Sequence, residues 1–428
     1  MKGLYPVLSV EEAQERVLGF FEVLEPERVP ILEALGRVLA EDLHADVDIP
    51  PHTNSAMDGY AVRAGDTVGA SAESPRRLSV VGDLAAGYVS DTVVNPGTAI
   101  RIMTGAPLPA GADGVVRFED TERQGDWVQV KVEVPVGKDI RAAGEDVRKG
   151  MLVLPRGSLI RAQEVGMTAT LGRSQVAVYR RPVVGILATG DEVVEIDQPL
   201  APGKIRNANS YSNAAQVLQS GGVPLLLGIA RDDIDELTDK IRTGLARGVD
   251  LFLTSGGVSV GDFDVVKDVL AAEGEMSFWR VRMKPGKPLA FGQIKGVPLL
   301  GLPGNPVSAM IAFELYARPA ILKMQGVTEW GRPTLEAVLM DEVLRKDDRR
   351  HYLRVRLQDE AEETRAYLTG EQGSGILSSM IGADGLAIIP EDWSAAPAGS
   401  RVTVIRLGAG GASSATSHPV SEREGRAL

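Results

Sequence analysis

Residues 251–266, LFLTSGGVSVGDFDVV, decide how the middle of this chain folds. An apolar strand run ending at Leu253 passes straight into Thr254, Ser255, Gly256 and Gly257, and a helical pattern follows. Two carboxylates, Asp262 and Asp264, stand at the mouth of that helix. A strand that breaks on small residues before a helix lets backbone N–H groups converge on a phosphate. Glycine is needed where a Cβ would block the approach or forbid the turn. Carboxylates beside such a cradle would repel a bare anion, so they make most sense as ligands of a magnesium ion bridging to the phosphate. Either aspartate alone also reads as a plain helix cap.

Outward from this stretch, residues 181–326 alternate strand and helix. PVVGILATG, VPLLLGIARDD and VDLFLTSGG are strand runs separated by helical segments, followed by FWRVRM, PLAFGQI, VPLLGL and a long helix from Asn305-Pro306. Such alternation predicts a mainly parallel, doubly wound α/β domain whose ligand crevice lies beyond the carboxyl ends of the strands. Three strand ends carry unusual residues: Thr189-Gly190-Asp191-Glu192, Arg231-Asp232-Asp233 and the opening motif. Taken alone, Asp232 and Asp233 read equally as helix-start residues. MKPGKPLAFG (283–292) supplies positive charge, with Lys284 and Lys287 flanking a Pro-Gly turn that two prolines stiffen; a solvated hairpin tip is the plainer reading. In GLPGNPVSA (301–309), Asn305 is placed as N-cap and Pro306 at the first helical position, with ligand contact by Asn305 left open. Neither G-x-x-x-x-G-K-[ST] nor G-x-G-x-x-G occurs, which removes the common nucleotide motifs.

Before this domain the texture differs. Ser9 and Glu12 form a capping box, ILEALGRVLAEDL (31–43) repeats an apolar helical stripe, and SLIRAQEVGMTATLG (158–172) is a second helical stretch. Short β-type runs broken by Gly and Pro fill the space between. The expectation is a split helical domain, 1–49 with 142–180, holding a β-rich insert domain at 50–141. Residues 327–407 read as a small C-terminal β domain and 408–428 as a disordered tail. The fold class is thus α/β multidomain. Polar turns of the N-terminal half carry Asp58, Thr104, Arg141, Glu145 and Asp146, which the residues alone place only as loops.

Composition narrows the chemistry. The 428 residues include no cysteine and four histidines without metal-ligand spacing, which removes thiolate nucleophiles and makes a zinc site improbable. A metal here would be a hard cation on carboxylates. A net charge of −12 argues against a nucleic-acid or membrane surface. The chain lacks a run of eighteen apolar residues, and its start turns acidic early, so a cytoplasmic protein is expected.

Seven segments in one order — NSAMDGYAVR, RIMTGAPLP, IRAAGEDV, ILATGDE, TSGGVSVGDFD, MKPGKPLAFG and GLPGNPVSA — resemble the molybdopterin molybdenumtransferase family, MoeA in bacteria and the E domain of gephyrin in animals. The resemblance spans roughly residues 5–407. The Thr-Ser-Gly-Gly turn also occurs in Mog-type molybdopterin adenylyltransferases, so specificity lies in the ordered set. The resemblance implies an enzyme that takes adenylylated molybdopterin, inserts molybdate at the dithiolene and releases AMP with magnesium. It implies functional positions at Asp58, Thr104, Arg141, Asp146, Glu192, Asp232, Asp264 and Lys284, and, on weaker motifs, Arg354 and Ser374. Asp58, Glu192, Asp232, Asp264 and Lys284 are read as catalytic, with Asp232 and Asp264 as the Mg2+ ligands and Asp262 as cap. Thr189, Thr254, Ser255, Gly256, Gly257, Arg280, Lys287 and Asn305 join the substrate-binding set. Arg280 stands where relatives often carry lysine. The resemblance further implies a homodimer with each site drawn from both subunits, and a separate adenylyltransferase as supplier of substrate. Two rival readings are an adenylyltransferase, which should need only the α/β domain, and a non-catalytic gephyrin-like scaffold, for which intact carboxylates and lysines are not required.

Overall fold

A computed structural model of the protein describes residues 6–231, 233–256, 274–345, 347–360 and 363–408. Asp232, Gly257, Asp262, Asp264 and residues 409–428 lie outside the described residues. The chain divides into two compact units: Arg28–Val178, and the flanking stretches Met1–Glu27 with Tyr179–Leu428.

The flanking unit is built on a seven-stranded sheet in the order Val7–Leu8, Gly274–Val281, Pro288–Ile294, Val297–Leu302, Leu251–Ser255, Val183–Thr189, Val223–Ala230. The last four strands are parallel, and the strand Pro288–Ile294 is antiparallel to both its neighbours. Four of the six pairings are thus parallel, the mainly parallel sheet that alternation predicts, and one strand reverses. The cause is connection length. A parallel return needs a crossover of a dozen or more residues, whereas Lys295 and Gly296, both at positive φ (49° and 82°), close a two-residue hairpin.

Alternate strand residues serve opposite faces. Ile186 and Leu253 pack with helices Val10–Leu18, Ala208–Gln219 and Pro306–Ala312, while Leu187 and Phe252 pack with Leu237 and Ile241 of the helix Ile234–Ala246. The doubly wound reading therefore holds. Asp233 caps the Ile234 helix by accepting from the N–H groups of Asp235 and Glu236 at 2.8 and 3.2 Å. Pro306 opens a helical stretch that runs through a π-turn, Phe313–Ala317, into Arg318–Met324.

The C-terminal strands Arg350–Asp359, Thr364–Leu368, Thr334–Leu339, Arg401–Arg406 and Gly385–Ile389 are successive neighbours. The first and last also pair, so the five close around Leu339, Val355, Ala366, Ala387 and Val404. A two-residue strand, Met283–Lys284, adds in parallel to the start of Arg350–Asp359, with Lys284 opposite His351. Tyr352 and Leu386 bury into the core of the seven-stranded sheet.

The unit Arg28–Val178 holds a six-stranded sheet ordered Gly114–Arg117, Gly59–Val62, Thr98–Ile102, Arg76–Leu84, Trp127–Val130, Thr121–Gln124. Beside it a smaller core gathers Ala34, Leu39, Leu43, Val147, Ile160 and Val178 around the helix Ala162–Thr170. The helix expected over 31–43 is absent: residues 31–36 form turns, and Val38 and Leu39 make single bridges to Leu159 and Val178. Gly36 sits at φ +76°, which ends any helix there, and Leu32 and Leu35 of the supposed apolar stripe are 77% and 55% exposed. Of the split helical domain expected over 1–49 with 142–180, the helices Val10–Leu18 and Ala162–Thr170 form, but the first belongs to the flanking unit, and the remainder is turns and short paired strands. Among the described residues no helix is long and apolar enough to cross a membrane.

Candidate functional site

The carboxyl ends of the parallel strands Val183–Thr189, Leu251–Ser255 and Val297–Leu302 open into a cleft of about 120 Å3. Thr189, Glu192, Asn207, Asn209, Ser255 and Gly256 line it. The strand-to-turn transition after Ser255 explains the small residues. Gly256 has φ +92°, and a Cβ there would stand 2.7 Å from the Thr189 carbonyl oxygen and 3.0 Å from its hydroxyl. Gly190 is similar: at φ +131° a Cβ would stand 2.5 Å from the Glu192 carboxylate, so the glycine makes room for that carboxylate at the strand end. Thr189 is buried, and its hydroxyl donates to the Ser255 carbonyl at 3.5 Å, linking the two strand ends. Thr254 is buried, and its hydroxyl has no partner among the described residues.

Two asparagines complete the wall. The Ala208–Gln219 helix starts earlier than its apolar pattern indicates, with Asn207 as N-cap accepting from the Ser210 N–H at 3.2 Å. Asn209 donates to the Gly304 carbonyl at 2.7 Å and so ties this helix to the turn before Pro306. Neither residue stood out in the sequence. The signal was Asn-Ala-Asn directly ahead of a helical run, an N-cap pattern beside a strand end.

Asn305 occupies the N-cap position, but its side chain does not cap. Its amide donates to the Ser374 hydroxyl at 3.0 Å, and the Ser374 carbonyl accepts from the Val307 N–H at 3.1 Å. Loop 370–375 of the C-terminal barrel is thereby bound to the start of the Pro306 helix. Arg354 organises that loop from below. It is fully buried, and its guanidinium donates to the Ser379 hydroxyl and to the carbonyls of Glu371 and Gly373 at 3.0, 3.3 and 3.2 Å. Burial pulls its pKa down to about 10. With these bonds Arg354 holds the Ser374 loop and does not itself line the cleft.

Lys284 and Lys287 are exposed on their Pro-Gly turn, and Gly286 lies against the first turn of the Pro306 helix, near the Ser308 carbonyl. Lys284 Nζ lies 3.6 Å from Asp347 Oδ2. Arg280 is half-buried in the preceding strand, its N–H bonded to the Pro6 carbonyl at 3.0 Å.

In the other unit, Asp58, Thr104, Arg141 and Asp146 fall in one loop cluster. Asp58 Oδ1 accepts from the Thr104 N–H at 2.7 Å and its hydroxyl at 2.8 Å, and these two donors hold the exposed carboxyl below its usual range. Arg141 pairs with Asn54, Gly105 N–H donates to the Ser55 carbonyl, and Asp146 N–H to the Ile49 carbonyl, so the three loops are stitched by backbone bonds. All four side chains are exposed. Short-range pattern gave no reason to group them; strand pairing does.

Among the described residues no three His, Cys, Asp or Glu side chains gather as metal ligands, and the two aspartates read as Mg2+ ligands, Asp232 and Asp264, lie outside those residues.

Known proteins resemble the chain along most of its length. Residues 8–172 match the family described as MoeA N-terminal region (domain I and II), 185–323 a "probable molybdopterin binding domain", and 336–407 the MoeA C-terminal region (domain IV). Molybdopterin molybdenumtransferase 2 of Mycobacterium tuberculosis (strain H37Rv) is 37% identical over 402 residues, covering 92% of this chain and 98% of its own. The molybdopterin molybdenumtransferase of Bacillus subtilis (strain 168) is 35% identical, covering 94% of each. The crystal structure of the molybdopterin biosynthesis MoeA protein from Pyrococcus horikoshii OT3 superposes with a TM-score of 0.79 at 32% identity, covering 94% of this chain and 100% of that one.

Proposed function

Because the chain belongs to the molybdopterin molybdenumtransferase family, MoeA, we propose that it inserts molybdate into adenylylated molybdopterin and releases AMP with Mg2+. It is a transferase of molybdenum cofactor biosynthesis; the adenylylated form of the substrate, AMP release and the metal are the finer parts of the reading. One observation carries them: a turn of small residues and a carboxylate, Ser255, Gly256 and Glu192, meet at adjacent ends of parallel strands, where such sheets take phosphorylated ligands.

Backbone N–H groups at the start of the Ala208–Gln219 helix receive phosphate oxygens. Lys284 and Lys287 offset the negative charge of phosphate and oxyanion. Hydrolysis of the phosphoanhydride forms one new P–O bond from water and breaks the bridging P–O bond; AMP departs, and Glu192 takes the proton of the attacking water. Beside Arg206 and apolar Ala188, Val193 and Ile205, the polar groups lining the cleft are the Glu192 carboxylate and the oxygens of Thr189, Asn207, Asn209 and Ser255, without sulfur or imidazole, and these oxygens are of the kind a hard dication takes. Asp232 and Asp264 would hold that ion, which when bound supplies neutralisation of the phosphoanhydride oxygens.

The reading extends to a cytoplasmic homodimer in which Asp58 of one subunit serves the site containing Asp264 of the other, and to a separate adenylyltransferase that supplies the substrate. The family resemblance supports both. The test is incubation of purified protein with adenylylated molybdopterin, molybdate and Mg2+, following AMP by chromatography. AMP should appear only with all three present, and full release in excess chelator would remove the metal from the reading.

A further inference from the structure

We propose that Asp347 is a positioning residue for Lys284, a role that rests on Lys284 serving the reaction as described above. Lys284 sits on a strand of only two residues, and no other ion pair is drawn to its ammonium among the described residues. Asp347 comes from a different segment, just ahead of the strand Arg350–Asp359, and parallel pairing sets Lys284 opposite His351.

The carboxylate is itself fixed. Oδ1 accepts from the Arg349 N–H at 3.2 Å and lies 2.9 Å from His351 Nε2, while Oδ2 accepts from Arg349 Nη2 at 2.7 Å. Arg345 holds the surrounding loop: its guanidinium donates to the carbonyls of Asp347 at 2.9 Å and of Arg349, Pro390 and Trp393. His351 is buried, and burial lowers its pKa against the opposing pull of Asp347. A neutral ring at pH 7 then donates from Nε2, leaving the negative charge of Asp347 to Arg349 and Lys284.

The distances divide the labour. Arg349 makes a true hydrogen bond, whereas Lys284 at 3.6 Å is attracted without committing a donor. Half of the Lys284 side chain remains exposed. Its three N–H groups thus stay available to an oxyanion while Asp347 limits where the ammonium can wander. A lone exposed pair would do little, but a carboxylate held by three other donors is pre-organised.

A double-mutant cycle on the full-length protein tests this, with AMP release from adenylylated molybdopterin as the readout and rates normalised to folded protein. Asp347→Asn should lower kcat/KM about fivefold, the factor that ~1 kcal/mol of network pairing represents. Asp347→Glu, which keeps the charge, should restore most of the loss. In a Lys284→Ala background Asp347→Asn should have little further effect. Multiplicative losses in the double variant, or Asp347→Asn with full activity per folded molecule, would overturn the positioning role while leaving the site reading intact. Full activity of Lys284→Ala alone would instead overturn the role assigned to Lys284, and this proposal with it.

Discussion

Gly256→Ala tests the cleft where its wall is backbone. At φ +92° an L-residue carries a steric penalty of about 1–2 kcal/mol, and the new methyl would stand 2.7 Å from the Thr189 carbonyl oxygen. That oxygen is backbone, in a strand paired on both sides, and cannot swing away as a flexible side chain would. Overpacking of this kind costs roughly 1–3 kcal/mol. Together the two effects amount to about 3 kcal/mol, or a fall in Tm of roughly 6–12 °C. The neighbouring Gly304 provides the control: a Cβ there meets only the Gly256 Cα at 3.7 Å, an ordinary contact, so Gly304→Ala should stay within about 0.5 kcal/mol. Differential scanning calorimetry of the two variants, with AMP release measured below both transitions, separates stability from function. If the turn relaxes to relieve the clash, the stability loss shrinks but the cleft's geometry at the strand end is lost, and AMP release should fall more than tenfold, over ~1.4 kcal/mol of transition-state stabilisation. Gly256→Ala that is both as stable and as active as Gly304→Ala would refute the reasoning.

Three further outcomes are expected. The Asp58 carboxyl, held down first by the Thr104 N–H and then by its hydroxyl, contributes stability above the unfolded value near 3.9, lost as pH falls through its lower folded value; Thr104→Val should raise that folded value part of the way in a carboxyl-carbon NMR titration, and an unchanged value would dismiss the hydroxyl. Arg354→Met should destabilise the protein by about 2 kcal/mol in denaturant unfolding and free loop 370–375 to proteolysis, whereas an uncut loop would show that Arg354 is not its anchor. Asp58→Asn and Asp264→Asn, each inactive alone, should regain activity when unfolded and refolded together, because about half the dimers are mixed and each mixed dimer carries one intact site; proven subunit exchange without recovery would exclude a shared site.

Local order determined what could be read without coordinates. Strand, turn and helix follow one another within a dozen residues, so the strand-to-turn break at Ser255-Gly256, Asn305 at its cap position and the doubly wound alternation were legible from side-chain period and glycine placement alone. The ordered motifs carried the family, since each records a turn whose backbone tolerates few residues. Tertiary structure decided the rest, because it depends on pairing between segments far apart in the chain. Strand register brings Thr189 beside Ser255 and stitches the Asp58, Thr104 and Arg141 loops together, and no window of sequence contains those contacts. It also decided direction: Asn305 reaches across to Ser374 rather than back to its own helix, and Arg354 turns inward under the loop. The apolar stripe of 31–43 failed for the same reason. A periodic pattern becomes a helix only when a partner covers its face, and here Leu32 and Leu35 have no such cover, while Gly36 adopts the left-handed conformation that ends a helical turn.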